Sequence, residues 1–240
     1  MDNVKFFEKF KIWIQKYNIV INDPGIFLEA LTHNSYMNEK NLSYNYQRLE
    51  FLGDSILACQ ISLYLFKEYP DWSEGKITNL RSKLVREEAL ALCSKSIGLN
   101  KFILLGVGEK QSNGQEKDKI MADVYESLLA AIYLDAHENK TNIVNNFIFD
   151  TLLKVVKETN YLEKVKDYKT LLQENLQSGG ERFSYRLVSS KRNKNDTEYC
   201  VEVVIEDVIY GKGKGPTKKI AEQNAAKVSL DKLIKKDNKN

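Results

Sequence analysis

Cysteine, histidine and proline are scarce in this 240-residue chain, which has three, two and three of them. Cys59, Cys93 and Cys200 are odd in number and no two have a metal-ligand spacing. That excludes a disulfide framework and a cysteine-zinc site, and leaves free thiols in a reducing compartment as the expectation. His33 and His137 are too few for a histidine-rich metal centre. With so little proline and no long low-complexity tract, a disordered or fibrous chain is excluded, and 42% hydrophobic residues are enough for a real core. No run approaches the roughly 20 apolar residues that a membrane span needs. The stretch MDNVKFFEKFKIW carries acidic residues and lacks an apolar run of signal-peptide length, so no leader is expected. A cytoplasmic globular protein without membrane association follows as the expectation.

What is present divides unevenly. Residues 1–160 hold 19 basic against 21 acidic side chains, and residues 161–240 hold 17 against 12. An acidic front and a basic back suit cation binding in one half and polyanion binding in the other, although uneven solvated surface gives the same totals. The pattern divides at the same place. The spacing of apolar residues predicts helices throughout residues 1–158: one stopped by Pro70, one capped by Ser73, one ended by Gly98, and others over about 120–135 and 141–158. Asp23 with Pro24 is a helix start. Gly106–Lys119 reads as a loop. The polar stretch 159–166 reads as a linker, 167–236 as a compact α-β-β-β-α module, and 237–240 as a tail. Within the module, Phe183–Ser189, Tyr199–Ile205 and Val208–Tyr210 alternate as strands, Glu206-Asp207 is a tight turn, and Gly211–Pro216 reads as a loop. The fold class is an all-α domain followed by a small α+β domain.

Two acidic pairs stand out. Glu50 and Asp54 lie four apart on a predicted helix, so both carboxylates leave one face among Leu49, Phe51, Leu52 and Ile56. Like charges at that spacing destabilise a helix unless a cation sits between them. Taken alone, the pair is more commonly a solvated surface feature than a metal site. Asp123 and Glu126 repeat the pattern three apart in an otherwise apolar, small-residue helix, where buried acids call for a partner. Two such pairs facing each other would form an all-oxygen cage, which suits Mg2+ or Mn2+ rather than zinc. Oxygen cages of this kind serve phosphodiester hydrolysis. In the basic half, Thr217 caps a helix whose first turn carries Lys218 and Lys219. Cations are unfavourable there, and the placement makes sense if a phosphate docks on the backbone N–H groups. Lys212 and Lys214 would join that patch; a solvated lysine-rich loop is the alternative.

The motifs around these residues resemble the ribonuclease III family. QRLEFLGDS (47–55) is similar to the family's E-R-L-E-F-L-G-D-[SA], and Leu31–Tyr36, Ser73–Gly75, Leu105–Glu109 and Ala122–Glu126 resemble four further family segments in order. Residues 167–236 resemble a double-stranded RNA-binding domain, through the GKGKGPTKKIAEQNAA stretch and the helix from Asp167. The resemblance implies a homodimeric endonuclease that cleaves double-stranded RNA with Mg2+, Mn2+ substituting. No small-molecule cofactor is expected. The implied products are 5′-phosphate and 3′-hydroxyl ends with short 3′ overhangs, made in the processing of ribosomal and messenger RNA precursors. It assigns Glu50, Asp54, Asp123 and Glu126 to catalysis and metal binding, Glu74 to an auxiliary acidic position, and Phe51 to the dimer interface. Core packing is the competing reading of Phe51. Thr170, Gln173, Glu174 and Gln177 would read one minor groove and Asn195 the next, with Lys218 and Lys219 on phosphates between them. His33 reads as a packed, hydrogen-bonded residue rather than a general base. Gln47 departs from the family's usual glutamate. That substitution leaves a catalytically inactive RNA-binding dimer as the alternative, against which the intact set of four acids argues.

Overall fold

A computed structural model describes residues 3–192 and 197–237. The chain forms two compact units, Met1–Lys164 and Val165–Asn240. The first contains eleven helices among its described residues: α1 (Asn3–Gln15), α2 (Pro24–Leu31), α3 (Asn34–Lys40), α4 (Gln47–Glu68), α5 (Glu74–Leu84), α6 (Glu87–Ser96), α7 (Val107–Gln111), α8 (Asp118–Asp135), α9 (Lys140–Ile148), α10 (Lys154–Glu158) and α11 (Tyr161–Lys164). The Asp23 carboxylate accepts from Gly25 N at 2.8 Å with Pro24 opening α2, and Gly98 takes a left-handed φ of 75° just past α6.

Helix α8 is the axis of this unit. Its Val124, Tyr125, Leu128 and Ala131 are fully buried, and it packs against α2, α4 and α6. Its last residue, Asp135, is buried and accepts from the backbone N of Asn22 (2.9 Å) and Asp23 (2.6 Å), tying the end of α8 to the start of α2. The neighbouring helix α4 qualifies the sequence reading on membrane spans. An 18-residue window within it reaches mean hydropathy 1.3, enough by length and composition to cross a membrane, although 33% of that window is buried. The buried face, including Leu49, Ile56, Leu57, Ile61 and Leu65, packs on α8.

Three local expectations are corrected. Residues 106–119 are not a plain loop but contain α7 and a 3-10 turn at Gly114–Glu116. Lys117 pairs with Glu109 at 2.7 Å, and a Cβ on Gly114 would come within 2.7 Å of the Glu109 side chain, so this segment is closed on itself. The helix expected over 141–158 is interrupted by a π turn at Phe149–Leu153, where the buried Thr151 hydroxyl bonds the Phe147 carbonyl (2.5 Å) and the Tyr125 hydroxyl (2.8 Å). A single parallel bridge, Thr32 to Leu104, also joins two segments of this helical unit.

The second unit runs α12 (Tyr168–Gly179), β1 (Phe183–Arg192), β2 (Thr197–Ile205), β3 (Val208–Gly215) and α13 (Lys218–Asp237). The strands form an antiparallel sheet in the order β1-β2-β3. Glu206 and Asp207, both with positive φ, make the two-residue hairpin turn. Gly211–Gly215, read as loop, is the second half of β3. The composition misleads because glycine is demanded by packing, not by a turn. A Cβ would sit 2.4 Å from the Ala225 carbonyl at Gly211 and 2.1 Å from Ala225 N at Gly213. The glycines therefore let α13 lie directly on the strand, over a core of Leu172, Leu176, Val201, Val203, Ala221 and Ala225.

Candidate active site

The apolar pattern that buries one face of α4 and nearly all of α8 brings the acids together. The contact between the two helices is intimate: a Cβ on Gly53 would lie 1.8 Å from the Glu126 carbonyl oxygen. At this crossing Glu50 from α4 meets Asp123 and Glu126 from α8, with ligand oxygens all within 4.8 Å of one another. Asp123 is 8% exposed. Asp54 is exposed and stands outside that converging set, but its charge reaches Glu126. Glu74 opens α5 and accepts a hydrogen bond from the Thr78 hydroxyl at 2.8 Å; it too is outside the set.

The electrostatics show what the cluster needs. Burial, reinforced by the charges of Asp54, Asp123 and Glu50, pushes the Glu126 carboxyl up to about 8. Burial and then Asp123 raise Glu50 in the same direction. Carboxylates in this state are short of positive charge, and the hard oxygen donor set fits a divalent cation.

A stability consequence follows. A carboxyl that titrates near 8 when folded and near 4.5 when unfolded takes up a proton on folding between those values. Stability from this group is therefore greatest below pH 4.5 and is lost as pH rises toward 8. The metal-free nuclease unit should melt a few degrees lower at pH 8.5 than at pH 6. A saturating divalent ion, which replaces the proton, should remove most of that slope in a thermal melt.

Two neighbours escaped the sequence reading. The Tyr46 hydroxyl donates to Asp123 Oδ2 at 3.1 Å, across 77 positions in the chain, a link with no local sequence signal. Burial, and then the Asp123 charge, hold the Tyr46 phenol well above its ordinary range. Lys119 Nζ lies 3.3 Å from Asp123 Oδ1. That i,i+4 pair was legible in principle. His33 is the cap of α3: its Nδ1 accepts from Ser35 N at 3.1 Å, and its ring packs on Tyr46. Gln47 is exposed at the start of α4, where Asn45 Oδ1 accepts from its backbone N at 3.0 Å. Phe51 is 79% exposed, so core packing is excluded for it within one subunit. Leu63 and Phe66 are exposed further along the same helix.

In the second unit, Gln173 and Glu174 are exposed on α12, Thr170 is partly buried, and the buried Leu172 and Leu176 face the core. The Gln177 side chain and all of Asn195 lie outside the described residues. Thr217 Oγ1 accepts from Ile220 N at 3.2 Å, capping α13 as expected. Lys218 and Lys219 are exposed in its first turn and make no ion pair among the described residues. Lys212 and Lys214 do not extend that patch as a loop. They alternate with the inward glycines of β3, and pair with Glu202 (2.6 Å) and Glu198 (3.0 Å) on neighbouring β2.

Residues 23–152 match the model of a ribonuclease-III-like family, and residues 168–233 match that of the double-stranded RNA binding motif. The chain is 48% identical over 235 residues to Ribonuclease 3 of Spiroplasma citri, covering 97% of this chain and 94% of that protein. It is 44% identical to Ribonuclease 3 of Mesoplasma florum, covering 93% and 96%. The chain belongs to the ribonuclease III family. Its helical unit resembles the crystallised nuclease domain of ribonuclease III from Campylobacter jejuni, with a TM-score of 0.54 and 31% identity over 66% of this chain and 97% of that one. The helical unit is thus a ribonuclease III nuclease domain, the second unit is a double-stranded RNA-binding module, and the protein is an endoribonuclease of this family.

Proposed function

We propose that this endoribonuclease hydrolyses double-stranded RNA with Mg2+, for which Mn2+ substitutes, held by Glu50, Asp123 and Glu126 with Asp54 beside them. The observation that carries the reading is the convergence of three acids from two helices within 4.8 Å. A bound divalent ion supplies charge neutralisation at the scissile phosphate and activation of water. The protein's own part is placement. Tyr46 fixes the rotamer of Asp123, the α4–α8 crossing fixes the spacing of Glu50 from Glu126, and the partial burial of the cluster strengthens every charge interaction within it. Cleavage of a long RNA duplex with Mg2+, compared with the same reaction in excess chelator, tests this; equal cutting in both would refute it.

The RNA-binding module supplies grip rather than chemistry. Thr170, Gln173, Glu174 and Gln177 would meet 2′-hydroxyls in one minor groove and Asn195 the next, with Lys218 and Lys219 on the intervening phosphates. Charge supports this division: the lysines of β3 are already paired, whereas Lys218 and Lys219 stand at a helix N-terminus that attracts anions. Replacing both by alanine should weaken duplex binding and reduce the slope of log K against log salt by roughly 1 per lysine. An unaltered slope in filter binding would remove them from the phosphate contacts.

Dimerisation accounts for two-strand cleavage. An isologous pair sets two clusters on one duplex, each cutting one strand and leaving 5′-phosphates with short 3′ overhangs. Phe51, Leu63 and Phe66 are exposed apolar side chains on α4 among the described residues, and a related Campylobacter jejuni nuclease domain is described with a region involved in dimer formation. Phe51→Asp should convert the dimer to monomer in light scattering and lower double-strand cleavage. A dimer that survives the change places the interface elsewhere. Processing of ribosomal and messenger RNA precursors is the role proposed. The three free cysteines support a reducing compartment, and we place the enzyme in the cytoplasm.

A further inference from the structure

Asp123 reaches the carboxylate cluster with both of its oxygens already engaged. Oδ2 accepts from the Tyr46 hydroxyl at 3.1 Å, and Oδ1 lies 3.3 Å from Lys119 Nζ. A divalent ion entering the cluster brings a second cation against Asp123, where Lys119 already sits on Oδ1, and the like charges of ion and ammonium oppose each other at that carboxylate. The two partners differ in how readily they yield. Tyr46 is 4% exposed, so withdrawing its hydroxyl would leave a buried donor unsatisfied. The Lys119 side chain is 70% exposed, and its ammonium finds water wherever its flexible stem swings. Lys119 is therefore the group that gives way, and Tyr46 the one that stays.

The position of Lys119 explains how the acids coexist before any ion arrives. It sits one helical turn before Asp123, and its charge also acts on Glu50 and Glu126, opposing the mutual repulsion of the three carboxylates. We propose that Lys119 is a tethered counter-ion: it holds the cluster together in the metal-free protein and competes with the divalent ion for Asp123, so that it sets how much metal the enzyme needs. This rests on the reading of Glu50, Asp123 and Glu126 as the metal site.

The test is calorimetric titration of the full-length protein with MnCl2, without RNA, for wild type, Lys119→Met, Lys119→Arg and Glu126→Gln. Lys119→Met loses the competitor and its repulsion of the incoming ion. It should bind Mn2+ tighter by a factor on the order of three to ten. Its half-maximal Mg2+ for cleavage should fall in parallel. Its metal-free melting temperature should drop below wild type, with the gap closing at saturating Mn2+. Lys119→Arg keeps the charge and should bind Mn2+ close to wild type. Equal or weaker Mn2+ binding by Lys119→Met overturns the proposal. So does unchanged binding combined with lost turnover, which would make Lys119 a contact for the RNA phosphate instead. If wild type and Glu126→Gln both fail to bind Mn2+, the metal site itself is refuted, a result distinct from either.

Discussion

Glu126→Ala should lower cleavage of an RNA duplex by at least about a thousandfold while leaving duplex affinity within about twofold of wild type. Charge stabilisation by a catalytic metal contributes several kcal/mol, and each 1.4 kcal/mol is a factor of ten. Removing one of the three converging carboxylates should forfeit most of that. Affinity should survive because the grip belongs to the second unit, which folds around its own core. Glu126→Gln sharpens the test. The glutamine keeps the shape, loses the charge, and relieves the repulsion from Asp54, Asp123 and Glu50 that pushes this carboxyl up to about 8. At pH 8 without metal, the glutamine variant should melt higher than wild type while being inactive. Stability and activity then move in opposite directions, as expected of a site whose charges are assembled against their own preference. A variant that is less stable, with intact cleavage, would assign Glu126 a structural role.

Most of the architecture was legible because the hydrophobic period and the caps agree with it. Asp23 with Pro24, Gly98 and Thr217 mark helix ends that the structure reproduces. The acids were legible because charge inside an apolar helix is anomalous. What failed to show in the sequence depends on contacts between distant segments. The Tyr46–Asp123 bond spans 77 positions. Gly211 and Gly213 look like loop residues until α13 is seen pressed against them. The π turn at Phe149–Leu153 keeps helical periodicity on both sides, so spacing alone cannot reveal it. Phe51 had two readings of equal chemistry, and its 79% exposure removes the core-packing one.

Gly53→Ala gives opposite signs from local and tertiary reasoning, and the tertiary one should win. Gly53 lies within α4, where alanine is favoured over glycine by about 1 kcal/mol. Helix propensity alone therefore predicts a more stable protein. The added Cβ, however, would stand 1.8 Å from the carbonyl oxygen and 2.4 Å from the carbonyl carbon of Glu126, both backbone atoms of a buried helix. No side-chain rotation relieves that contact, so α4 and α8 must separate. Overpacking of this kind costs about 3 kcal/mol or more, which exceeds the propensity gain. The melting temperature of the nuclease unit should fall by roughly 5 °C or more. Because the same crossing sets Glu50 against Asp123 and Glu126, the variant that remains folded at low temperature should also bind Mn2+ more weakly. Gly75→Ala is the control: it lies in the first turn of α5 with nothing within 4 Å of its would-be Cβ, and should be neutral or slightly stabilising. If Gly53→Ala instead raises the melting temperature, the close approach of the two helices is wrong, and with it the spacing that brings the carboxylates to a common point.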